Sequence, residues 1–304
     1  MERVKVKIFR YDPSEDKNPR YETYDVPYEK DMRVLDVLMF VQENLANSLA
    51  FRYSCRRRRC GTCSVLVNGR PVLACMEGAE REMTIEPLPN LPVIRDLVVD
   101  TQPYEASIRK IHPFLERGQL PQEEPERLDA RGFLSLRPLQ TCIECYSCMS
   151  ACPVIDLKWQ EFSGPVTLVQ LARRALDPRD DLDRVSLALG GGLVHCVSCY
   201  ACVNVCPVEI NVLEGAIERL RGQCMGNETR SWARFNKTFT DLVRDNGVIN
   251  PFTLIRKTST MTDLLSNFFV GLIFFLKGKI SLSRKRVCNI EDIRKIYDAT
   301  GETK

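Results

Sequence analysis

Cys55, Cys60 and Cys63 stand in the loop RYSCRRRRCGTC with C-x4-C-x2-C spacing, and Cys75 follows after eleven further residues. This is the spacing of plant-type [2Fe–2S] ligation, in which a tight loop and one thiolate from a neighbouring strand enclose a small inorganic core. Such a loop must turn its amides toward the sulfides, and Gly61 lets the backbone approach closely. A structural zinc site is the alternative, although zinc ligands usually come as two short pairs. Arg56 to Arg59 fill the loop with four positive charges. These either favour the reduced form of an anionic cluster or face solvent and a partner.

Cys142, Cys145, Cys148 and Cys152 stand in CIECYSCMSACP, and Cys196, Cys199, Cys202 and Cys206 in CVSCYACVNVCP. Both runs are C-x2-C-x2-C-x3-C-P, the bacterial ferredoxin pattern, in which the fourth thiolate of each run ligates the other cluster. Cross-ligation predicts that Cys142, Cys145, Cys148 and Cys206 hold one cluster and that Cys152, Cys196, Cys199 and Cys202 hold the other. Pro153 and Pro207 fix the backbone just past each fourth cysteine, and Val154, Ile155, Val205 and Val208 would keep water from the sulfurs. Cys224 and Cys288 lack ligand-spaced partners and read as small buried hydrophobes. His112 and His195 are equally isolated. His195 precedes Cys196, but a structural role is the expectation for both.

The elements that must position these cysteines follow from periodicity. Residues 3 to 9 alternate as a strand, 23 to 26 form a second, and VLDVLMFVQENL at 34 to 45 is helical. Strand-like segments follow at 64 to 67, 71 to 75 and 83 to 88, the first two joined by a turn at Asn68 and Gly69. That is a small α+β domain, bounded by prolines near residue 105. From 106 to 225 the reading is mostly helical, as in VTLVQLARRALD at 166 to 177 and EINVLEGAIERLRGQC at 209 to 224. Residues 226 to 304 are basic and helical in pattern, an appended docking element. A chain of 304 residues accommodates two or three such units.

Composition narrows the function. With 43 Lys and Arg against 40 Asp and Glu the net charge is only +3, which gives no reason to expect nucleic acid as a partner. The chain starts MERVKVKIFRY without an apolar signal region, and 14 cysteines at metal-ligand spacing point to a reducing, cytoplasmic setting rather than disulfides. The longest apolar run, Leu264 to Leu276, is interrupted by Ser266 and Asn267 and falls short of the roughly 20 residues a spanning helix needs. No dinucleotide or P-loop glycine motif follows a strand, so flavin and nucleotide sites are expected on a partner. Nor is there a nucleophile, base and orienter constellation. A chain of this kind moves electrons.

A [2Fe–2S] domain followed by a two-quartet helical domain, with LPVIRDLVVD at 91 to 100 between them, resembles the iron–sulfur subunit of succinate dehydrogenase and fumarate reductase. Over about residues 1 to 225 the resemblance implies an α+β chain: an N-terminal β-grasp [2Fe–2S] ferredoxin domain (1–105), then an all-α two-cluster ferredoxin domain (106–225) and a helical extension (226–304). It implies an FAD-containing flavoprotein partner that interconverts succinate and fumarate, with electrons passing through the [2Fe–2S] cluster to two further clusters. Usual members lack a cysteine at the position of Cys199 and hold [3Fe–4S] there. Cys199 here predicts [4Fe–4S], with [3Fe–4S] the outcome if it is not a ligand. The Trp and His of the usual quinone site are replaced by Leu157 and Val197, with Trp159 close by.

The tail, from NPFTLIRK to IEDIRKIYD, resembles the small iron–sulfur subunit of heterodisulfide reductases. With Cys199 it implies the non-classical type of succinate dehydrogenase, in which a heterodisulfide-reductase-like subunit replaces the membrane anchor. Residues 264 to 286, including Lys277, Lys279, Arg284, Lys285 and Arg286, are read as a helix against such a partner or in the membrane interface. The chain is thus expected at the inner face of the cell membrane through its partners. A subunit of a thiol-dependent fumarate reductase or of another flavoprotein dehydrogenase and, from another class, a colourless zinc-stabilised interaction module are the competing readings.

Overall fold

The computed structural model describes residues 2–118, 129–156, 161–225, 231–259, 273, 276–277, 287 and 289–300. Two compact units divide the chain, Met1–Leu220 and Arg221–Lys304. Among the described residues no helix is long and apolar enough to cross a membrane.

Strand β1 (Arg3–Arg10) turns Val4, Val6 and Ile8 inward at alternate positions, as a half-covered strand does. It pairs antiparallel with β2 (Arg20–Pro27), Val6 opposite Tyr24. In α1 (Val34–Asn44) the buried Val34, Leu35, Val37, Leu38 and Val41 recur at helical spacing and form one apolar stripe. β3 (Ser64–Val67) and β4 (Arg70–Leu73) make a hairpin whose turn residues Asn68 and Gly69 both have positive φ, 49° and 78°, as a two-residue turn of this hand requires. β5 (Glu82–Glu86) runs parallel to β1 and antiparallel to β3. The sheet order is β2-β1-β5-β3-β4, and its inward residues share one core with α1. This is the mixed sheet with a helix laid against it that a β-grasp requires.

The link to the helical part is fastened by a buried charge pair. β6 (Val93–Arg95) and β7 (Val98–Val99) turn at Asp96, whose carboxylate accepts from Arg10 Nε at 3.0 Å and from the amides of Tyr11 and Ala50. Helix α2 (Gln102–Lys110) follows. Then come α3 (Ala130–Gln140), capped by Asp129, and the one-turn helices α4 (Ser147–Ser150) and α5 (Pro153–Asp156). α6 (Pro165–Ala175) is buried along most of its length and touches α3, α4 and α7 (Arg184–Gly190). A 3-10 turn (Leu193–His195) leads to α8 (Ala201–Asn204), which packs on α4.

The helix expected over 209 to 224 starts later. Glu209 is left-handed (φ 60°), and Asn211 caps a helix by accepting from the Glu214 amide at 3.1 Å. The chain continues through a π-helical turn (Leu213–Ile217) into α9 (Glu218–Met225). In the second unit, α10 (Ser231–Asn246) packs on α11 (Pro251–Thr258) and α12 (Ile290–Thr300).

Candidate iron–sulfur sites

The β3–β4 hairpin brings two cysteines of the first quartet together. Ser64 pairs with Leu73, so Cys63 and Cys75 flank the same end of the hairpin, and the Ala74 amide donates to the Cys63 carbonyl at 3.0 Å. Both cysteines are buried. The preceding loop is wound tightly by positive φ at Arg56 (54°), Arg58 (57°) and Gly61 (68°). This turns the amides of Arg57 and Arg59 onto Cys55 Sγ at 3.4 and 3.3 Å. Burial works against ionisation of Cys60, but hydrogen bonds from Thr62 and the backbone at Cys55 outweigh it and bring that thiol down to about 6. Burial pushes Cys63 up to about 12, with Cys75 and Cys60 adding to the shift. Thus all four sulfurs of the quartet interact.

Cys142, Cys145, Cys148 and Cys206 line a second cavity, walled by Val166, Val169, Val208 and Ile210. A third is lined by Cys152, Cys196, Cys199 and Cys202, with Val154, Phe162 and Leu213. The fourth cysteine of each run therefore lies with the first three of the other. Matched backbone conformations produce the exchange: Glu144 and Tyr146 in one run, Ser198 and Tyr200 in the other, all have positive φ between 50° and 62°. Each loop wraps inward before a one-turn helix delivers its last cysteine across to the neighbouring cavity.

The electrostatics of these cavities suit a cationic core. Burial raises Cys142 to about 11 and Cys202 to about 12, and drives Cys148 well above its usual value, with neighbouring thiolates adding repulsion in each case. Such thiols ionise only when a positive metal core offsets desolvation and mutual repulsion. The Ile210 amide donates to Cys206 Sγ at 3.3 Å, a ready-made partner for a ligated sulfur. Among the described residues no three His, Cys, Asp or Glu groups converge closely enough for a single ion. The sulfurs instead ring two cavities, and a cluster spaces its ligands farther apart than one ion does. Four thiols around each cavity are the donor set a four-iron cluster takes, one to each iron.

The three sites abut in series. A Cβ at Gly61 would lie 2.6 Å from the Ile143 carbonyl and 2.9 Å from Cys145 Cα, so the first loop rests directly on the second site. Cys202 in turn is close enough to Cys148 for its charge to be felt in the second cavity.

Several contacts at the sites have no counterpart in the sequence motifs. The Asn90 side-chain amide donates to the carbonyls of Met149, Ser150 and Cys152 at 3.1, 3.1 and 3.3 Å. The Tyr104 hydroxyl holds Asn90 in turn, donating to its carbonyl at 2.6 Å. Buried Gln170 donates to the Glu144 carboxylate at 2.8 Å and so braces the second loop. Asn90 was not singled out from the sequence, and the one signal available was the tendency of asparagine toward the left-handed backbone it adopts here at φ 65°.

Other residues singled out from the sequence have these surroundings or fall outside the described residues. His112 is exposed and pairs with Glu116 at 3.0 Å, and His195 faces Glu161 at 3.6 Å. Cys224 is fully buried. Val197 lines the third cavity and is 65% exposed. Leu157, Trp159 and Cys288 fall outside the described residues, as does the stretch 264–286 apart from Ile273, Leu276 and Lys277.

Residues 5–106 match a 2Fe-2S iron-sulfur cluster binding domain, and residues 138–210 match a 4Fe-4S dicluster domain. These matches and the three cysteine-lined sites define an iron–sulfur protein with one domain of each type. The chain is 39% identical over 218 residues to a CoM/CoB fumarate reductase subunit of Methanothermobacter marburgensis, covering 72% of this chain and 44% of that one. It therefore spans less than half the length of that relative. Fumarate reductase iron-sulfur subunits of Haemophilus influenzae and Mycobacterium tuberculosis are 34% and 35% identical, with 88% and 92% of their lengths covered. A chain of the Mycobacterium smegmatis Sdh1 complex in the apo form superposes with a TM-score of 0.69 at 27% identity, covering 75% of this chain and 98% of that one. The chain belongs to the family of fumarate reductase and succinate dehydrogenase iron–sulfur subunits.

Proposed function

We propose that this chain carries electrons between an FAD-containing flavoprotein subunit, which interconverts succinate and fumarate, and a quinone or heterodisulfide-reductase-like acceptor subunit. The observation that carries the reading is the series of three abutting cysteine sites. In this reading Cys55, Cys60, Cys63 and Cys75 hold [2Fe–2S], Cys142, Cys145, Cys148 and Cys206 hold [4Fe–4S], and Cys152, Cys196, Cys199 and Cys202 hold a second [4Fe–4S]. The working units are 1–105, 106–225 and a docking extension, 226–304. Bound clusters would supply one-electron donors and acceptors, which the side chains of the protein alone do not.

The residues of the chain shape that chemistry. Valines and Phe162 exclude water from the two helical sites, which strengthens every charge interaction within them. Amides of Arg57, Arg59 and Ile210 stabilise negative charge on sulfur. Through its partners the chain would sit at the cytoplasmic face of the cell membrane.

The test is purification without oxygen from the native source, followed by assay. A co-purifying flavoprotein that oxidises succinate or reduces fumarate supports the proposal, and its absence contradicts it. A second reading, thiol-dependent fumarate reduction, is favoured by the Methanothermobacter relative, whose name carries the two thiols CoM and CoB. Comparing thiol-driven with quinol-driven fumarate reduction separates the two.

A further inference from the structure

Several arginines elsewhere in the first unit are paired with carboxylates. Arg10 pairs with Asp96, Arg95 with Asp12 and Arg184 with Asp180. Arg56, Arg57, Arg58 and Arg59 are different: all four are exposed, and among the described residues none is paired with a carboxylate. Arg56 lies over the ring of Tyr53 at 5.2 Å and touches Met39 Sδ at 3.3 Å.

The loop backbone explains the outward direction. The amides of Arg57 and Arg59 are committed to Cys55 Sγ, so this part of the main chain faces the first site while the side chains stand in solvent. Arg56 and Arg58 hold left-handed backbone at φ 54° and 57°. Glycine or asparagine would take that conformation more readily, so arginine there points to a use for the side chain. Four like charges on one loop repel, and no carboxylate among the described residues offsets that repulsion.

We propose that Arg56–Arg59, with the exposed ring of Tyr53, form a docking patch for an acidic face on the flavoprotein partner. This rests on the function proposed above and adds the chemistry of the contact. Arginine and tyrosine are the residue types enriched where partners bind. Unpaired charge on a surface steers an oppositely charged partner before contact, raising association rates about 10- to 1,000-fold at low salt. Docking at this loop brings the partner to the wall of the first site, where an electron must cross.

The test uses the full chain purified with its clusters, and the flavoprotein subunit purified separately, in a stopped-flow association measurement over a range of salt. For the wild type the rate should fall about tenfold or more between low and high salt. With all four arginines changed to glutamine, the rate at low salt should drop to the high-salt value and lose its salt dependence. The four-lysine variant should keep both. A salt-independent wild-type rate overturns the docking patch without any variant, so the test survives a glutamine variant that fails to hold its cluster. A glutamine variant that associates as fast as the wild type overturns it as well. If no flavoprotein assembles with the chain at any salt, the functional reading fails together with the patch.

Discussion

The first cysteine site and the two helical ones solve the same problem by different means. In the loop at 55–75 the half-buried Cys55 and Cys60 sit among hydrogen-bond donors, and Cys60 is brought down to about 6, while the buried Cys63 is pushed up. In the paired runs burial raises five of the eight thiols, Cys142, Cys145, Cys148, Cys152 and Cys202, although Cys199 is exposed. The contrast teaches where each region gets its order. The first is a loop on a sheet that has its own apolar core, whereas the second is organised around its cavities.

The sharpest consequence concerns thiol reactivity in cluster-free protein. The thiolate is the nucleophile, so at pH 7 Cys60, with its thiol near 6, is mostly ionised, while Cys63, near 12, is almost wholly protonated. Alkylation followed by mass spectrometry should label Cys60 at least about a hundredfold faster than Cys63, the stronger intrinsic nucleophilicity of the less acidic thiolate offsetting part of the difference in ionisation. Equal rates would erase the distinction drawn for the first loop.

Iron removal should then separate the regions. Stripping the metal leaves buried thiols with no cation, so residues 130–220 should lose order, their melting temperature falling by more than about 10 °C. The sheet at 3–86 should keep most of its amide protection, because Val4, Val6, Ile8 and Leu38 belong to an apolar core in which Cys63 and Cys75 are the only cysteine members among its buried residues. Hydrogen exchange on both forms checks this, and uniform loss across the two regions would break the comparison.

Gly61→Ala strikes the contact between them. The added methyl would meet the Ile143 carbonyl at 2.6 Å, on a backbone at φ 68° that alanine adopts poorly. We expect a loss of about 2–3 kcal/mol in chemical denaturation and slower electron transfer from the first site to the second. Asn90→Ala should cost less, about 1–2 kcal/mol, since it leaves the carbonyls of Met149, Ser150 and Cys152 without that donor. Its effect should appear in the spectrum of the third site and not of the first.

Much of this was legible in the sequence because ligand spacing is local. The C-x4-C-x2-C loop and the two C-x2-C-x2-C-x3-C-P runs announced their chemistry, and the alternation in β1 and the stripe in α1 announced the sheet and its helix. The one-turn helices α4, α5 and α8 escaped notice, since four residues are too few to show a period. Left-handed Tyr146 and Tyr200 were illegible because bulky residues do not favour that backbone. The ties made by Asn90, and the rest of Gly61 on Cys145, join residues more than 50 positions apart. No local pattern encodes such contacts.

The central claim is that twelve cysteines hold three clusters, and native mass spectrometry of the anaerobically purified chain tests it most directly. The account predicts a mass increment of one [2Fe–2S] and two [4Fe–4S] units, roughly ten irons in all. A chain carrying stoichiometric zinc, or no iron and sulfide at all, would contradict it.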